Sequence, residues 1–426
     1  MAEIAPSAAQ RASEAVDPTQ AIDDLKRLVR IPSITGNERE VQDVVASILT
    51  DIGCRMERVE TDPADFARTD PDWPGAEMPR TDLPVVFGRL GRPGGRRVLL
   101  VGHTDVVPLG EPATWTVDPW GAEIIDGQLH GRGSCDMKGG CASILAAMRA
   151  LQSSGAADQL DGEVMAVFVP SEEDGGQGML SAIRAGATGD MAIITEPTNM
   201  DVVIAHAGAI VFRLTVAGKA AHASMRREGV SAFSNLTYLA AALEADETAR
   251  NEAETNPLMT ALGLPYPTIV GIVSGGEWAS SVMDKIVADG RYGVALGETW
   301  RDAEVRLRAC IAAAAEADPF LREHPPTVEL VGGRFSSAQV PADHPLPVSL
   351  SAAAEASLGR RPAMLGEPYG ADMRLLVNEG KTPTVIYGPG FIAEAHSADE
   401  SVPVDDVVAC ARVLAAWVVR ELGGAS

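Results

Sequence analysis

The stretch RRVLLVGHTDVVPLG, residues 96–110, has the pattern of a buried strand that ends in polar side chains. Its apolar run, Val98–Val101, is followed by Gly102 and then by His103 and Asp105. Residues two apart in an extended chain share a face, so this imidazole and this carboxylate point the same way. The stretch therefore predicts a sheet strand that presents two polar groups at its carboxyl end.

Other apolar runs of the chain end in the same way. GEVMAVFVP (162–170), DMAIITEP (190–197) and PTVIYGPG each lead into acidic residues or a histidine, and GRGSCDMKGG places another acid in a glycine-rich turn. The polar residues that follow or interrupt these runs are Asp136, Glu172, Glu173, Glu196 and His396. Loops at the carboxyl ends of parallel strands share one rim of the sheet, where ligands bind. Clustered carboxylates repel each other unless a multivalent cation neutralises them, and carboxylates with imidazoles suit Zn²⁺, Mn²⁺ or Co²⁺.

Apolar strands alternate with helical patterns in both outer parts of the chain. This order predicts an α/β fold, with a mostly parallel sheet and helices on both faces. After about residue 208 the order becomes strand, long helix, two strands and helix, which indicates an inserted α+β two-layer sandwich. We therefore predict a catalytic domain formed by residues 1–207 and 334–426, and an inserted domain formed by residues 208–333.

Bulk properties exclude several classes of function. The formal net charge is −24, which argues against nucleic acid or an anionic membrane as partner. No apolar run approaches the roughly 20 residues of a membrane span, and the first 20 residues lack a signal-peptide pattern, so we expect a cytoplasmic protein. The five cysteines are scattered without a CxxC pair, so neither a disulfide framework nor a cysteine-rich zinc site is expected.

A set of motifs in this chain resembles the acetylornithine deacetylase / succinyl-diaminopimelate desuccinylase family of metallo-amidohydrolases, which is related to aminoacylase. The motifs occur in the family's order from about residue 20 onwards. They are GHTDVVP, WTVDPWGAEIIDGQLHGRGSCDMKGG, SEEDGG, TEPT, GKAAHAS, YGADMRLL and EAHSADE. One departure is Ser171, which stands before Glu172 where many relatives have aspartate.

The resemblance implies a role for each strand-end residue. One divalent ion would be held by His103, Asp136 and Glu196, and a second by Asp136, Glu173 and His396, with Asp136 bridging; whether one or two ions bind stays open. Metal-bound hydroxide would attack the substrate, with Glu172 as general base and later acid. Asp105 would orient His103. The family also implies a cis peptide bond between Asp136 and Met137.

The resemblance also implies substrate-binding groups and an assembly. His222 in the inserted domain would stabilise the oxyanion, usually across a dimer. Arg374 would bind a substrate carboxylate, for which a guanidinium is well shaped, while Gly370 and Arg291 are weaker candidates for substrate contacts. The inserted lid/dimerisation domain would form a homodimer or a dimer of dimers.

Three functions remain open at this point. The leading interpretation is hydrolysis of a C–N bond, the amide of an N-acyl amino acid or a related small carboxylate substrate. The second is a deaminating or carbamoyl-type aminohydrolase that uses the same metal site, because the resemblance fixes the metal machinery better than the substrate. The third is a catalytically silent binding homologue, which ranks low because Glu172 and every expected ligand are present.

Overall fold

The computed structural model describes residues 7–423, so residues 1–6 and 424–426 of the predicted catalytic domain lie outside the described part. The strands in this range are β1 (Arg55–Glu60), β2 (Pro84–Gly91), β3 (Arg96–His103), β4 (Ile124–Ile125), β5 (Gln128–His130), β6 (Gly162–Val169), β7 (Met191–Ile194), β8 (Val202–His206), β9 (Gly208–Ala217), β10 (Thr268–Gly275), β11 (Lys285–Val294), β12 (Thr327–Phe335), β13 (Ala338–Gln339), β14 (Met364–Glu367), β15 (Thr384–Ile386) and β16 (Ser401–Pro403). The helices are α1 (Ala8–Glu14), α2 (Pro18–Val29), α3 (Arg39–Ile52), α4 (Pro63–Thr69), α5 (Gly139–Ser153), α6 (Gln177–Arg184), α7 (Ala232–Glu252), α8 (Pro257–Thr260), α9 (Trp300–Ala317), α10 (Pro319–Glu323), α11 (Pro345–Leu358), α12 (Met373–Asn378) and α13 (Val404–Leu422).

The main sheet has nine strands within residues 7–423, in the order β1–β2–β6–β3–β7–β15–β8–β13, with β14 paired to β8. Its centre is parallel, because β3 pairs in parallel with β6 and β7, and β15 pairs in parallel with β7. The outer strands β1, β2 and β13 pair antiparallel. Strand β6 is buried along its whole length, as expected for a strand covered on both faces. The predicted α/β class with a mostly parallel sheet and helices on both faces is confirmed.

Two glycines leave room for helix α5 against the main sheet. A Cβ on Gly102 would lie 2.8 Å from the Cys141 Sγ, and a Cβ on Gly140 would lie 2.0 Å from the carbonyl oxygen of Thr195. Neither position can therefore carry a side chain without a shift of its neighbours. These contacts hold the first turn of α5 against the ends of β3 and β7.

The second sheet is antiparallel, in the order β10–β11–β9–β12. Helices α7 and α9 pack against each other and against this sheet. Leu236, Leu239 and Leu307 of these helices join Phe212 and Leu214 of β9 in a core of their own. The predicted inserted α+β unit is thus present, although its fourth strand, β12, which runs to Phe335, was not predicted. The exact domain limits at 208 and 333 stay a prediction.

No helix among residues 7–423 combines the length and the apolar character that a membrane crossing requires.

Candidate metal and active site

Loops after four neighbouring parallel strands meet at one rim of the main sheet. The strands β6, β3, β7 and β15 lie side by side, so their carboxyl ends are adjacent. His103 is the last residue of β3, Glu172 and Glu173 follow β6, Glu196 follows β7, and His396 lies in the loop after β15. The structure therefore brings these sequence-predicted residues together at the place where an α/β sheet binds ligands.

Asp136 lies at the centre of this cluster, between the two histidines. The His103 Nε2 lies 3.0 Å from Asp136 Oδ1 and 3.6 Å from Glu196 Oε1. The His396 Nε2 lies 3.4 Å from Asp136 Oδ2 and 3.1 Å from Glu173 Oε2. Each imidazole thus faces a different oxygen of the same carboxylate, and each also faces one further glutamate.

The turn that carries Asp136 is held from behind by a buried glutamate, Glu400, which precedes β16. The donors to its carboxylate are the backbone amides of Gly133, Cys135 and Asp136, each at 3.0 Å, and the Arg132 guanidinium at 2.6 Å. The peptide bond between Asp136 and Met137 is cis, as the resemblance implied. Glu400 belongs to the motif EAHSADE, but no role was predicted for it from the sequence.

Asp105 connects the end of β3 to the loop that follows β6. Its two carboxylate oxygens accept hydrogen bonds from the backbone amides of Glu172, at 3.1 Å, and Glu173, at 3.2 Å. The hydroxyl of Thr35 donates to the same carboxylate at 3.0 Å. The Nδ1 atom of His103 lies 3.0 Å from the Asp105 carbonyl oxygen and 3.5 Å from its carboxylate. Asp105 therefore fixes the backbone of both glutamates as well as the neighbouring imidazole.

Ser171, the departure from the family pattern, belongs to a buried network behind this loop. Its hydroxyl donates to the carboxylate of Asp174. Arg80 lies 3.3 Å from both Asp174 and Glu38, and the three charged side chains are almost completely buried. The hydroxyl thus faces a carboxylate, next to which a second acid would be repelled. This network could not be predicted from the sequence, because Arg80 comes from a loop more than 90 residues away from Asp174.

The acidic side chains of the cluster differ in their pKa values. It raises the pKa of Glu173 to about 7 and that of Glu196 to about 8. Burial, and after it the charges of Asp372 and Glu196, raises the pKa of Glu172 well above its usual value. At Asp136 burial acts in the same direction, but the contacts with the two histidines outweigh it and lower the pKa. The two histidines therefore stabilise the negative charge of Asp136, whereas the other acids lack enough positive charge nearby to stabilise theirs.

These residues fit a divalent metal ion. Two groups offer ligand atoms that all lie within 4.8 Å of one another: His103 with Asp136 and Glu173, and His103 with Glu172 and Glu196. Imidazole nitrogen and carboxylate oxygen together are the donors that Zn²⁺, Mn²⁺ and Co²⁺ accept. A bound cation would also supply the positive charge that the buried acids lack.

A pocket of about 260 Å³ opens onto the cluster. Its lining consists of four of the acids, one of the two histidines and a few neighbours: Asp136, Glu172, Glu173, Glu196, Tyr369, Gly370, Ala371, Ile392, Ala395 and His396. Gly370, a predicted substrate contact, thus lies at the pocket. Tyr369, which immediately precedes it, was not among the predicted site residues.

The other predicted substrate residues do not line this pocket. Arg374 is fully buried, where its guanidinium donates to the carbonyl oxygens of Ala371 at 2.9 Å and Gly175 at 2.6 Å. Arg291 reaches from the inserted unit to the carbonyl oxygen of Pro368 at 3.0 Å. His222 is exposed on the inserted unit. In this conformation Arg374 holds the backbone near the pocket, and His222 lies apart from it.

Comparison with known proteins places the chain in a family. The sequence profile described as Peptidase family M20/M25/M40 matches residues 99–420. A succinyl-diaminopimelate desuccinylase of Methylobacterium radiotolerans is 32% identical over 306 residues, which are 68% of this chain and 71% of the relative. A second one, from Methylobacterium sp. strain 4-46, is 31% identical over 397 residues, 89% of this chain and 90% of the relative.

Solved structures share the fold. The dipeptidase Dug1p of Saccharomyces cerevisiae superimposes with a TM-score of 0.73 at 17% identity, over 96% of this chain and 98% of its own. The Bacillus subtilis YXEP protein, described as a dinuclear metal binding peptidase from the M20 family, gives a TM-score of 0.62 at 15% identity, over 95% and 98%. With the profile match and the clustered ligand residues, these findings agree on one conclusion: the chain belongs to peptidase family M20/M25/M40 and is a metal-dependent hydrolase of amide C–N bonds.

Proposed function

We propose that the protein hydrolyses the amide bond of an N-acyl amino acid or a related small carboxylate substrate and releases the free amine. The relatives described as succinyl-diaminopimelate desuccinylases support this substrate class. The observation that carries the proposal is the position of Asp136, whose two oxygens face the imidazoles of His103 and His396 at 3.0 and 3.4 Å. One carboxylate between two sets of ligands suits a pair of divalent ions that shares it.

Within this proposal each residue around Asp136 has a defined role. His103 and Glu196 would hold one ion together with Asp136, and Glu173 and His396 would hold a second. When bound, the metal supplies Lewis acidity, which polarises a carbonyl group and makes water more acidic. Asp105 fixes the backbone amides of Glu172 and Glu173, so that base and ligand keep their relative positions.

Glu172 is the proposed general base and acid. Its side chain lines the pocket with the ligand residues and is 8% exposed. Its raised pKa, caused first by burial, favours a carboxyl group that takes a proton from the attacking water and returns it to the leaving nitrogen. His222 is proposed to contact the developing oxyanion after domain closure or from a partner subunit, because it is exposed and apart from the pocket in this conformation. Arg374 and Arg291 stay predicted contacts of the substrate carboxylate.

We also propose a homodimer that forms through the inserted unit. Strand β10 is an edge of the second sheet, and its residues Ile269 and Ile272 are 57% and 64% exposed. Trp278, in the loop after this strand, is 75% exposed. An exposed apolar sheet edge of this kind is a template for pairing with another chain. Sedimentation equilibrium at micromolar concentration tests this: a monomer would refute it, as would a dimer that survives charged substitution of Ile269 and Ile272.

The base assignment is tested with Glu172→Gln and Glu173→Gln, two isosteric changes in adjacent residues. Purified protein is loaded with Zn²⁺, Mn²⁺ or Co²⁺ and offered amino acids that carry acetyl, succinyl or longer acyl groups, with both free amine and ammonia measured. We expect E172Q to lose roughly 10²- to 10⁴-fold in kcat while it keeps its metal content, whereas E173Q loses metal. Full activity of E172Q would refute the role of Glu172, and ammonia as the product would refute the substrate class.

A further inference from the structure

One polar group at the pocket has no protein partner and no role so far. The hydroxyl of Tyr369 is buried and makes no hydrogen bond with any residue in the described range 7–423. A buried hydroxyl without a partner is costly, so such a group in a native site calls for an explanation. Tyr369 lines the same pocket as Asp136, Glu172 and Glu196, which makes a substrate atom the natural partner.

The phenol group of Tyr369 differs chemically from the other side chains that line this pocket. The acidic side chains that line it act as hydrogen-bond acceptors when ionised and cannot stabilise a negatively charged oxygen. His396 is assigned to a metal ion in the proposed function, and His222 is exposed elsewhere. Tyr369 is therefore the side chain of the lining that is free to donate a hydrogen bond to an oxygen of the substrate.

The surroundings of Tyr369 also keep its proton in place. Burial, followed by the charges of Glu367, Glu196 and Asp136, raises the pKa of the phenol well above its usual value. A phenol is already protonated near neutral pH at its usual pKa, so the hydroxyl is available as a donor. Its place beside the reaction centre follows from the pocket it shares with Glu196 and Asp136, which are proposed metal ligands.

We propose that Tyr369 is a further catalytic residue, whose hydroxyl donates a hydrogen bond to the carbonyl oxygen of the scissile amide as that oxygen becomes negatively charged. This proposal rests on the proposed amide hydrolysis. A preorganised donor at a developing oxyanion contributes mainly to the transition state, because the bond strengthens as charge appears. Tyr369 already lines the pocket in this conformation, whereas His222 would join it at the oxyanion after closure or from a partner subunit.

The test compares Tyr369→Phe with Tyr387→Phe. Tyr387 is fully buried in the main core, and its hydroxyl also has no hydrogen-bond partner among residues 7–423, so it is a matched control. We expect Y369F to lower kcat by roughly 10²- to 10³-fold with little change in KM. Metal content and thermal midpoint should equal those of Y387F, which itself keeps wild-type kcat. Unchanged kcat in Y369F, a loss confined to KM, or a loss of bound metal would each overturn the proposal.

A binding measurement keeps this inference separate from the proposed function. A phosphinate analogue of an N-acyl amino acid carries the tetrahedral, negatively charged oxygens of the transition state, and its affinity is measured by calorimetry on metal-loaded protein. We expect Y369F to bind it at least 10-fold more weakly than wild type and Y387F, while the free amino acid product binds equally to all three. Equal phosphinate affinity overturns the role of Tyr369. A wild-type protein that cleaves no N-acyl amino acid but shows the affinity difference refutes only the proposed substrate class.

Discussion

Glu400 provides a sharp test of how the site is held in place. Replacement by glutamine keeps the shape of the side chain but removes its charge, and the new amide group faces backbone N–H groups that need an acceptor. The side chains of this ion pair are almost fully buried, at 1% exposure for Glu400 and 2% for Arg132. Breaking one side of a buried ion pair costs about 3–5 kcal/mol, which we expect as the loss in the free energy of unfolding.

The assay is urea unfolding of metal-free protein, in which a loss of stability moves the midpoint at constant slope. Glu355→Gln is the matched control, because its ion pair with Arg361 is at the surface, with side-chain exposures of 50% and 57%. We expect E355Q to unfold near the wild-type midpoint. The double variant R132M/E400Q should recover part of the loss, since it no longer buries an uncompensated charge.

The same substitution has a consequence for the metal. The amides of Cys135 and Asp136 donate to one oxygen of Glu400, and Gly133 and Arg132 donate to the other. Glutamine keeps only one acceptor oxygen, so one side of the turn that carries Asp136 loses its hydrogen bonds. We expect E400Q to bind Zn²⁺ roughly 10- to 100-fold more weakly, as for other groups that support metal ligands. An E400Q protein with the stability and Zn²⁺ affinity of E355Q would refute this reasoning.

Three further predictions follow from buried groups. Burial lowers the pKa of His206 from its usual 6.5 to about 4, so the unfolded chain takes up this proton at a higher pH than the folded one. This contribution to stability is complete above pH 6.5 and is lost as the pH falls to 4. Between these pH values the free energy of unfolding of metal-free wild type should therefore fall by about 3 kcal/mol more than that of His206→Gln. Urea midpoints of the two proteins that change in parallel with pH would contradict this. Gly140→Ala should lower the free energy of unfolding by about 1–3 kcal/mol, because the new Cβ would lie 2.0 Å from the carbonyl oxygen of Thr195. This loss is expected although alanine favours helix more than glycine does, and an unchanged thermal midpoint would contradict it. Chelation of the metal should lower the thermal midpoint of wild type, and added Zn²⁺ should restore it. The midpoint of the E173Q protein should change less, and equal changes in both proteins would count against Glu173 as a ligand.

Much of the site could be predicted because each of these residues is marked by the sequence directly before it. His103, Glu172 and Glu196 each follow an apolar run, and the parallel order of the strands brings such ends to one rim. The same reasoning gave the fold class and the inserted α+β unit. Strand β12 was missed because Thr327–Phe335 is only partly buried and contains two adjacent glycines, which weaken a strand pattern.

The supporting residues could not be predicted, because their role depends on long-range contacts. Glu400 accepts hydrogen bonds from amides more than 260 residues earlier in the chain. Arg374 resembles a substrate-binding arginine in sequence, yet its guanidinium binds backbone carbonyl oxygens. The unpartnered hydroxyl of Tyr369 likewise becomes visible only when the pocket around it is complete.

The central claim is that Asp136 is the central ligand of a catalytic metal site. The most direct measurement is anomalous X-ray diffraction at the zinc edge from crystals of the zinc-loaded E172Q variant. We predict a peak at roughly 2.0–2.2 Å from the His103 Nε2 and from carboxylate oxygens of Asp136 and Glu196, with any second peak between Asp136, Glu173 and His396. A strongest peak outside this cluster, or a zinc ion that does not contact Asp136, would contradict the account.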